Sequence, residues 1–87
     1  MKDENLKAVA LRYPEWADAP YVSAKAKAKA ATYMKQIAEE NNVPVVENAE
    51  MADFLSIQEV GSFIPEETYS AIAAVFAFIM KAEDDRR

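Results

Sequence analysis

A short strand predicted close to the start of the chain constrains the fold more than any other segment. Apolar residues alternate there with small or charged ones, in the order Ala8, Val9, Ala10, Leu11, Arg12 and Tyr13. This period of two is typical of a strand with one buried face. The first six residues of the chain, MKDENL, are too few and too polar to supply a partner strand. We therefore predict that these residues form either a sheet edge or a partner-strand edge that another chain completes.

The composition offers little basis for catalysis. The 87 residues suffice for one small domain and include no cysteine and no histidine. Thiol nucleophiles, imidazole bases, disulfides and nearly all zinc sites need those side chains. The acidic pairs Glu39–Glu40 and Glu66–Glu67 are adjacent in sequence, so on a helix they diverge by about 100°. We predict that the protein is not an enzyme and binds neither cofactor nor metal.

The charge and the hydropathy of the sequence limit the partners and the cellular compartment expected for the protein. A net charge of −5 disfavours a nucleic-acid partner, because that affinity comes largely from clustered Lys and Arg. The first seven residues are polar and charged, unlike a signal peptide. The longest apolar run, Ala71 to Met80, has ten residues, whereas a membrane span needs about 20. These patterns predict a soluble, cytoplasmic protein without membrane insertion of its own.

The remaining segments predict an α/β fold, a single small domain with a mixed sheet of about three strands and about three helices. Further strands are expected at residues 21–24 and 43–47, with a helix over 27–42 between them. The short link between the first two strands favours antiparallel pairing. The order that follows is strand, helix, strand. It predicts that the strands at 21–24 and 43–47 are parallel and joined by a right-handed crossover.

Two more helices complete the predicted domain. One covers residues 49–55 and is capped by Asn48. The last starts at Pro65 and has a wide apolar face. The domain spans residues 1–87, and residues 1–6 and 83–87 are expected to be flexible tails. Gly61, the only glycine, is expected to adopt a backbone conformation closed to other residues.

Trp16 lies in the predicted loop of residues 14–20, which has a proline at each end. Two interpretations remain open for its side chain. It either folds onto the sheet as part of a lid, or it is an exposed contact for a partner.

Four segments together resemble one protein family. They are AVALRY at 8–13, AP followed by a strand and a lysine at 19–25, AEENNVPVVEN at 38–48, and GSFIPEETYSAIAAVFAFI at 61–79. Their order and spacing are similar to the C-terminal cytoplasmic domain of FlhB, the flagellar type III export switch protein, and its injectisome relatives of the YscU type. The resemblance covers about residues 7–82. It implies the fold of that domain, a role in protein export, and a location at the export apparatus on the inner membrane.

In that family an Asn-Pro-Thr-His motif precedes the first strand, and the backbone cleaves itself after Asn. The cleaved form lets the export gate change from early rod and hook substrates to late ones. The aligned positions here are Asp3, Glu4, Asn5 and Leu6, so the resemblance predicts no self-cleavage. The chain resembles a free-standing version of the fragment downstream of the cut.

The resemblance also implies partners. These are the FlhB membrane-half fragment or other export-gate proteins, and early export substrates. The protein itself is expected to be a monomer or to self-associate weakly through its open edge. A general protein-interaction module unrelated to secretion is the alternative, because fold alone does not determine function.

A substrate-recognition patch is implied by matching the family pattern residue by residue. It comprises Ala19, Pro20, Ala73 and Phe76. Phe76 departs from the family, in which leucine is usual, and this changes the expected pocket size. The alternative is that Ala73 and Phe76 are plain core contacts at helical spacing.

Overall fold

The computed structural model describes residues 5–85, with side chains as far as Lys81, and shows two strands and three α-helices there. The elements are β1 (Lys7–Arg12), β2 (Tyr21–Lys27), α1 (Lys29–Glu40), α2 (Ala49–Ser56) and α3 (Tyr69–Asp85), with a single 3-10 turn, Glu66–Thr68, before α3. Residues 1–4, 86 and 87 of the predicted tails lie outside the described residues. Residues 83–85 belong to α3.

The first two strands pair antiparallel, as the sequence predicts. Their register runs from Lys7 opposite Lys27 to Arg12 opposite Tyr21, with an irregularity between Ala10 and Leu11. The second strand continues to Lys27, three residues beyond its predicted end.

The predicted third strand is wrong, and with it the parallel crossover. Residues 43–48 have no regular secondary structure and are exposed. Pro44 cannot donate to a ladder, and the segment lies across a groove from β1 rather than beside β2. Strand propensity in β-branched residues produces a strand only where a neighbour is within pairing distance.

The outer edge of β2 is covered by residues 61–64, which the sequence predicted only as a connector. The amide of Val22 donates to the Ser62 carbonyl (2.9 Å), and the amide of Gly61 donates to the Val22 carbonyl (2.7 Å). Gly61 has φ 94°, the conformation predicted for it. Within residues 5–85, this cover reaches only the first two residues of β2, and the outer edge of β1 has no backbone partner along its length.

The core lies between the sheet and the helices α2 and α3. Its buried cluster is Ala19, Leu55, Ile64 and Ile72, and partly buried side chains pack against it from Val9, Leu11, Met51 and Phe76. The apolar alternation of β1 therefore faces the core, as predicted. Tyr13 lies beyond the strand and is 53% exposed.

The helix ends follow local sequence signals closely. Asn48 caps α2 by accepting from the Met51 amide at 3.0 Å, as predicted. Pro65 is the N-cap of the 3-10 turn and not the first residue of the α-helix, and its carbonyl accepts a hydrogen bond from the Thr68 hydroxyl at 2.7 Å. Asn42, just after α1, takes a left-handed φ of 60°.

Ala28 joins β2 to α1 in a strained conformation, φ 57° and ψ −132°. Glycine adopts this conformation without a Cβ clash. We expect Ala28→Gly to raise the free energy of unfolding by about 1 kcal/mol, because relief of strain exceeds the entropic cost of glycine. Urea denaturation followed by circular dichroism measures the change.

Ala30→Gly is the matched control, because Ala30 is exposed within α1. It should lower the free energy of unfolding by at most about 1 kcal/mol, the cost of glycine in a helix interior. Equal losses in the two variants would contradict strain at Ala28.

Candidate functional site

A groove of about 470 Å³ runs along β1. One wall is formed by Leu6 to Leu11, and the facing wall is formed by residues 43–48. Apolar side chains of the helices line it as well, among them Met34, Met51, Leu55, Val75 and Ile79. We call this feature the strand groove.

Both walls of the strand groove present backbone groups that could accept a further strand. The strand β1 pairs only with β2 within the described chain, so its outer N–H and C=O groups face the groove. Within residues 5–85, no backbone hydrogen bond reaches residues 44–47. An unpaired strand edge such as that of β1 is the arrangement that strand addition uses.

The second wall is attached at both ends. At its start the Val43 amide donates to the Ala38 carbonyl at 2.8 Å. Near its end, Lys35 Nζ lies 3.1 Å from Glu47 Oε1, and this hydrogen bond and the carboxylate charge raise the pKa of Lys35. On the other side, Lys7 Nζ lies 2.9 Å from Asp53 Oδ1 and ties the start of β1 to α2. Each wall of the groove is therefore attached to a neighbouring helix, the second wall to α1 and β1 to α2.

A second cavity, of about 370 Å³, lies where the loop before β2 meets α3. We call it the apolar pocket. Its lining residues are Tyr13, Asp18, Ala19, Pro20, Ile64, Tyr69, Ile72, Ala73, Phe76, Ala77 and Met80. Asp18 is the only charged side chain among them.

The structure brings together all four residues of the predicted substrate-recognition patch. Ala19 and Pro20 are buried at one side of the apolar pocket, and Ala73 is exposed at the other. Phe76 packs against the core cluster and also lines the pocket. Phe76 therefore both packs in the core and lines the pocket. The role of the four residues in substrate recognition stays a prediction.

Tyr13 contributes to the pocket rather than to the strand edge predicted for it. Its ring lies 5.8 Å from that of Phe76, measured between centroids, at an angle of 56°. Its hydroxyl donates to the Asp18 carbonyl at 3.4 Å. The other five residues of the predicted edge, from Ala8 to Arg12, lie in β1.

Sequence reasoning missed Ile64, Tyr69 and Met80 as pocket residues. Tyr69, Ala73, Phe76 and Met80 recur every three or four positions, so helical spacing could have found the two outer members. Ile64 had no comparable signal, because it enters the pocket from an irregular segment that pairs with β2.

Trp16 does not cover the core as a lid would. Its ring stacks on Tyr21 of β2 at 6.5 Å and 26°, yet the residue is 75% exposed. Tyr21 in turn meets Phe63 edge to face at 6.4 Å and 84°. The loop therefore presents an exposed aromatic side chain stacked on β2.

Among the side chains that the structure describes, those of residues 5–81, no group of three or more acidic ones is placed to hold a metal ion. None of the helices within residues 5–85 has the length and apolar character needed to cross a membrane.

The fold and these two cavities define a small α/β domain with an open strand edge and an adjacent apolar pocket. The sequence model of the FlhB HrpN YscU SpaS family matches residues 6–79, and the chain belongs to this family. It is 36% identical over 81 residues to the flagellar biosynthetic protein FlhB of Helicobacter pylori, covering 92% of this chain and 23% of that protein. The chain thus spans less than a quarter of that relative's length.

A relative of similar size and a solved structure agree with this assignment. The protein YlqH of Bacillus subtilis is 35% identical over 79 residues, which cover 90% of this chain and 85% of YlqH. The crystal structure of the PscU C-terminal domain superimposes with a TM-score of 0.77 at 28% identity, covering 84% of this chain and 95% of that one.

Proposed function

We propose that this protein is a non-enzymatic component or regulator of flagellar or type III protein export, located in the cytoplasm at the export apparatus. It docks on, or replaces, the C-terminal fragment of an FlhB protein. The observation that carries the proposal is the strand groove, whose two walls offer unpaired backbone. Family membership supports the export setting.

The strand groove suits an extended segment of about six residues, the length of its second wall. At about 3.3 Å per residue such a segment spans about 20 Å. Hydrogen bonds to β1 would supply affinity, and alternate side chains would enter the apolar lining, including Val75 and Ile79. The membrane-half fragment of an FlhB protein, which ends next to this strand in the family, is the proposed source of that segment.

Co-purification tests the docking proposal. The tagged chain is mixed with a detergent-solubilised FlhB membrane-half fragment that ends at its cleavage point, and we expect the two to elute together. Val75→Asp should lower the affinity at least about tenfold, because it places a charge among the apolar side chains that line the groove.

Ala74→Asp is the matched control for the groove variant, because Ala74 is exposed on α3 and lines neither cavity. It should leave the affinity unchanged. Failure of the unaltered chain to bind, or equal binding by the two variants when both remain folded by circular dichroism, would contradict docking in the groove.

The apolar pocket supports a second part of the proposed function, a contribution to the recognition of early export substrates. Nearly all of its lining is apolar, and it opens on the side of Ala73. An apolar side chain of a substrate segment would be removed from water there, which is favourable in proportion to the area buried.

A further inference from the structure

Three aromatic side chains meet at the start of β2, and we call them the aromatic surface. The ring of Trp16 stacks on that of Tyr21, and Phe63 meets Tyr21 edge to face. An isolated antiparallel bridge between Tyr21 and Phe63 holds their backbones beside each other. Trp16 is 75% exposed and Phe63 is 51% exposed, so ring surface of both remains open to a ligand.

The aromatic surface lies on the face of the sheet opposite the apolar pocket. Successive side chains of extended backbone point to opposite faces. Tyr21 directly follows Pro20 and Phe63 directly precedes Ile64, in two segments that are hydrogen-bonded to each other. Pro20 and Ile64 line the pocket. The aromatic surface and the apolar pocket are therefore separate sites.

Arg12 is the charged residue that the structure places against the aromatic surface. It lies directly opposite Tyr21 in the antiparallel pair, so the two side chains share one face of the sheet, with Cβ atoms about 4.5–5.5 Å apart. Arg12 is exposed. Among the side chains of residues 5–81, no carboxylate forms a salt bridge with it, that of Glu15 in the adjoining loop included. Charge complementarity at this point therefore favours a negative group on a ligand.

One cation beside open aromatic rings favours a polypeptide ligand that combines a carboxylate with an aromatic side chain. A guanidinium binds a carboxylate through two parallel hydrogen bonds. Aromatic rings add offset-stacked or edge-to-face contacts with a further ring. Nucleic acid is disfavoured, because it requires several clustered cations and this surface has one, in a chain of net charge −5.

We propose that Arg12, Trp16 and Phe63 form a docking site for a polypeptide segment of a partner that carries Asp or Glu near an aromatic residue. The carboxylate binds Arg12, and the aromatic side chain packs on the open rings of Trp16 and Phe63. Tyr21 holds these two rings in place through its contacts with both. The site goes beyond the proposed function, because none of these residues lines the apolar pocket or the strand groove.

Three synthetic peptides of twelve residues test the docking site. Each contains one phenylalanine in a Gly/Ser background, and two nearby positions carry glutamate, the neutral isostere glutamine, or lysine. Trp16 is the only tryptophan, so its indole N–H gives a single NMR signal that reports binding at the aromatic surface. Titration of the ¹⁵N-labelled protein with each peptide gives the dissociation constant.

We expect the glutamate peptide to shift the Trp16 signal saturably and to bind about two- to fivefold more tightly than the glutamine peptide, the range for an exposed ion pair. Arg12→Gln should abolish this preference. Lys27→Gln is the matched control, because it removes the same charge from an exposed residue at the other end of the two-stranded sheet, opposite Lys7. It should retain the preference.

Trp16→Ala should weaken binding of all three labelled peptides, measured by fluorescence polarisation. Tyr33→Ala, which removes an exposed aromatic ring from α1, should leave binding unchanged. Equal affinity for the glutamate and glutamine peptides, or a preference that survives Arg12→Gln in a folded protein, would overturn the proposal. Tighter binding of an oligothymidine than of the glutamate peptide at the same ionic strength would also overturn it, since Arg12 would then belong to a phosphate site.

Discussion

Leu55→Ala should lower the free energy of unfolding by about 2–5 kcal/mol, the range for buried leucines whose removal leaves a cavity. Leu55 is 3% exposed and belongs to the core cluster with Ala19, Ile64 and Ile72. A domain of 87 residues has a total stability of about 4–13 kcal/mol at typical values per residue. A single truncation is therefore expected to remove a large part of it.

Urea denaturation followed by circular dichroism at 222 nm measures this loss, since the exposed Trp16 is a poor reporter of core packing. Ile57→Ala is the matched control. Ile57 lies two residues further along and is 76% exposed, so its truncation should change stability by less than about 0.5 kcal/mol. Similar midpoints for both variants would mean that Leu55 does not anchor the core.

Ala73→Glu should weaken binding of a purified hook-type early export substrate at least about tenfold while the domain stays folded. Ala73 is exposed at the apolar pocket, so the fold accommodates a larger side chain there. A carboxylate in the apolar lining must lose hydration when a substrate side chain enters, and that loss opposes binding.

Ala71→Glu provides the comparison on the same helix. Ala71 is exposed and lines neither the apolar pocket nor the strand groove. Titration of the labelled substrate against both variants, with circular dichroism as the check on folding, should show a loss only for Ala73→Glu. An affinity unchanged by Ala73→Glu would count against the pocket as the substrate site.

The last helix shows how far side-chain periodicity predicts a site. Its wide apolar face was evident from the sequence, and the structure divides that face between two cavities. Tyr69, Ala73 and Met80 line the apolar pocket, whereas Val75 and Ile79 line the strand groove. Periodicity identifies which residues share a face, but the elements packed on either side determine which cavity each residue lines.

The candidate patch was predictable only through a family resemblance. Ala19 and Pro20 are more than fifty positions from Ala73 and Phe76, and no local pattern relates them. Their meeting depends on the loop before β2 reaching α3, where Tyr13 packs on Phe76. The family resemblance predicted that these distant residues form one patch, and the structure places all four at one pocket.

Local sequence was sufficient for the cap at Asn48 and the left-handed Gly61, which depend on residues a few positions away. It was also sufficient for the antiparallel pair β1 and β2, because a short link joins two strands with clear strand patterns. Tertiary structure alone decided that residues 61–64 cover β2 and that residues 43–48 face β1 across a groove without pairing. A strand exists only when a second backbone lies within hydrogen-bonding distance, and that neighbour is set by the packing of distant elements. The alternating pattern of β1 is therefore evident from the sequence. The groove along its open edge exists only in the folded domain, because distant elements form the other walls.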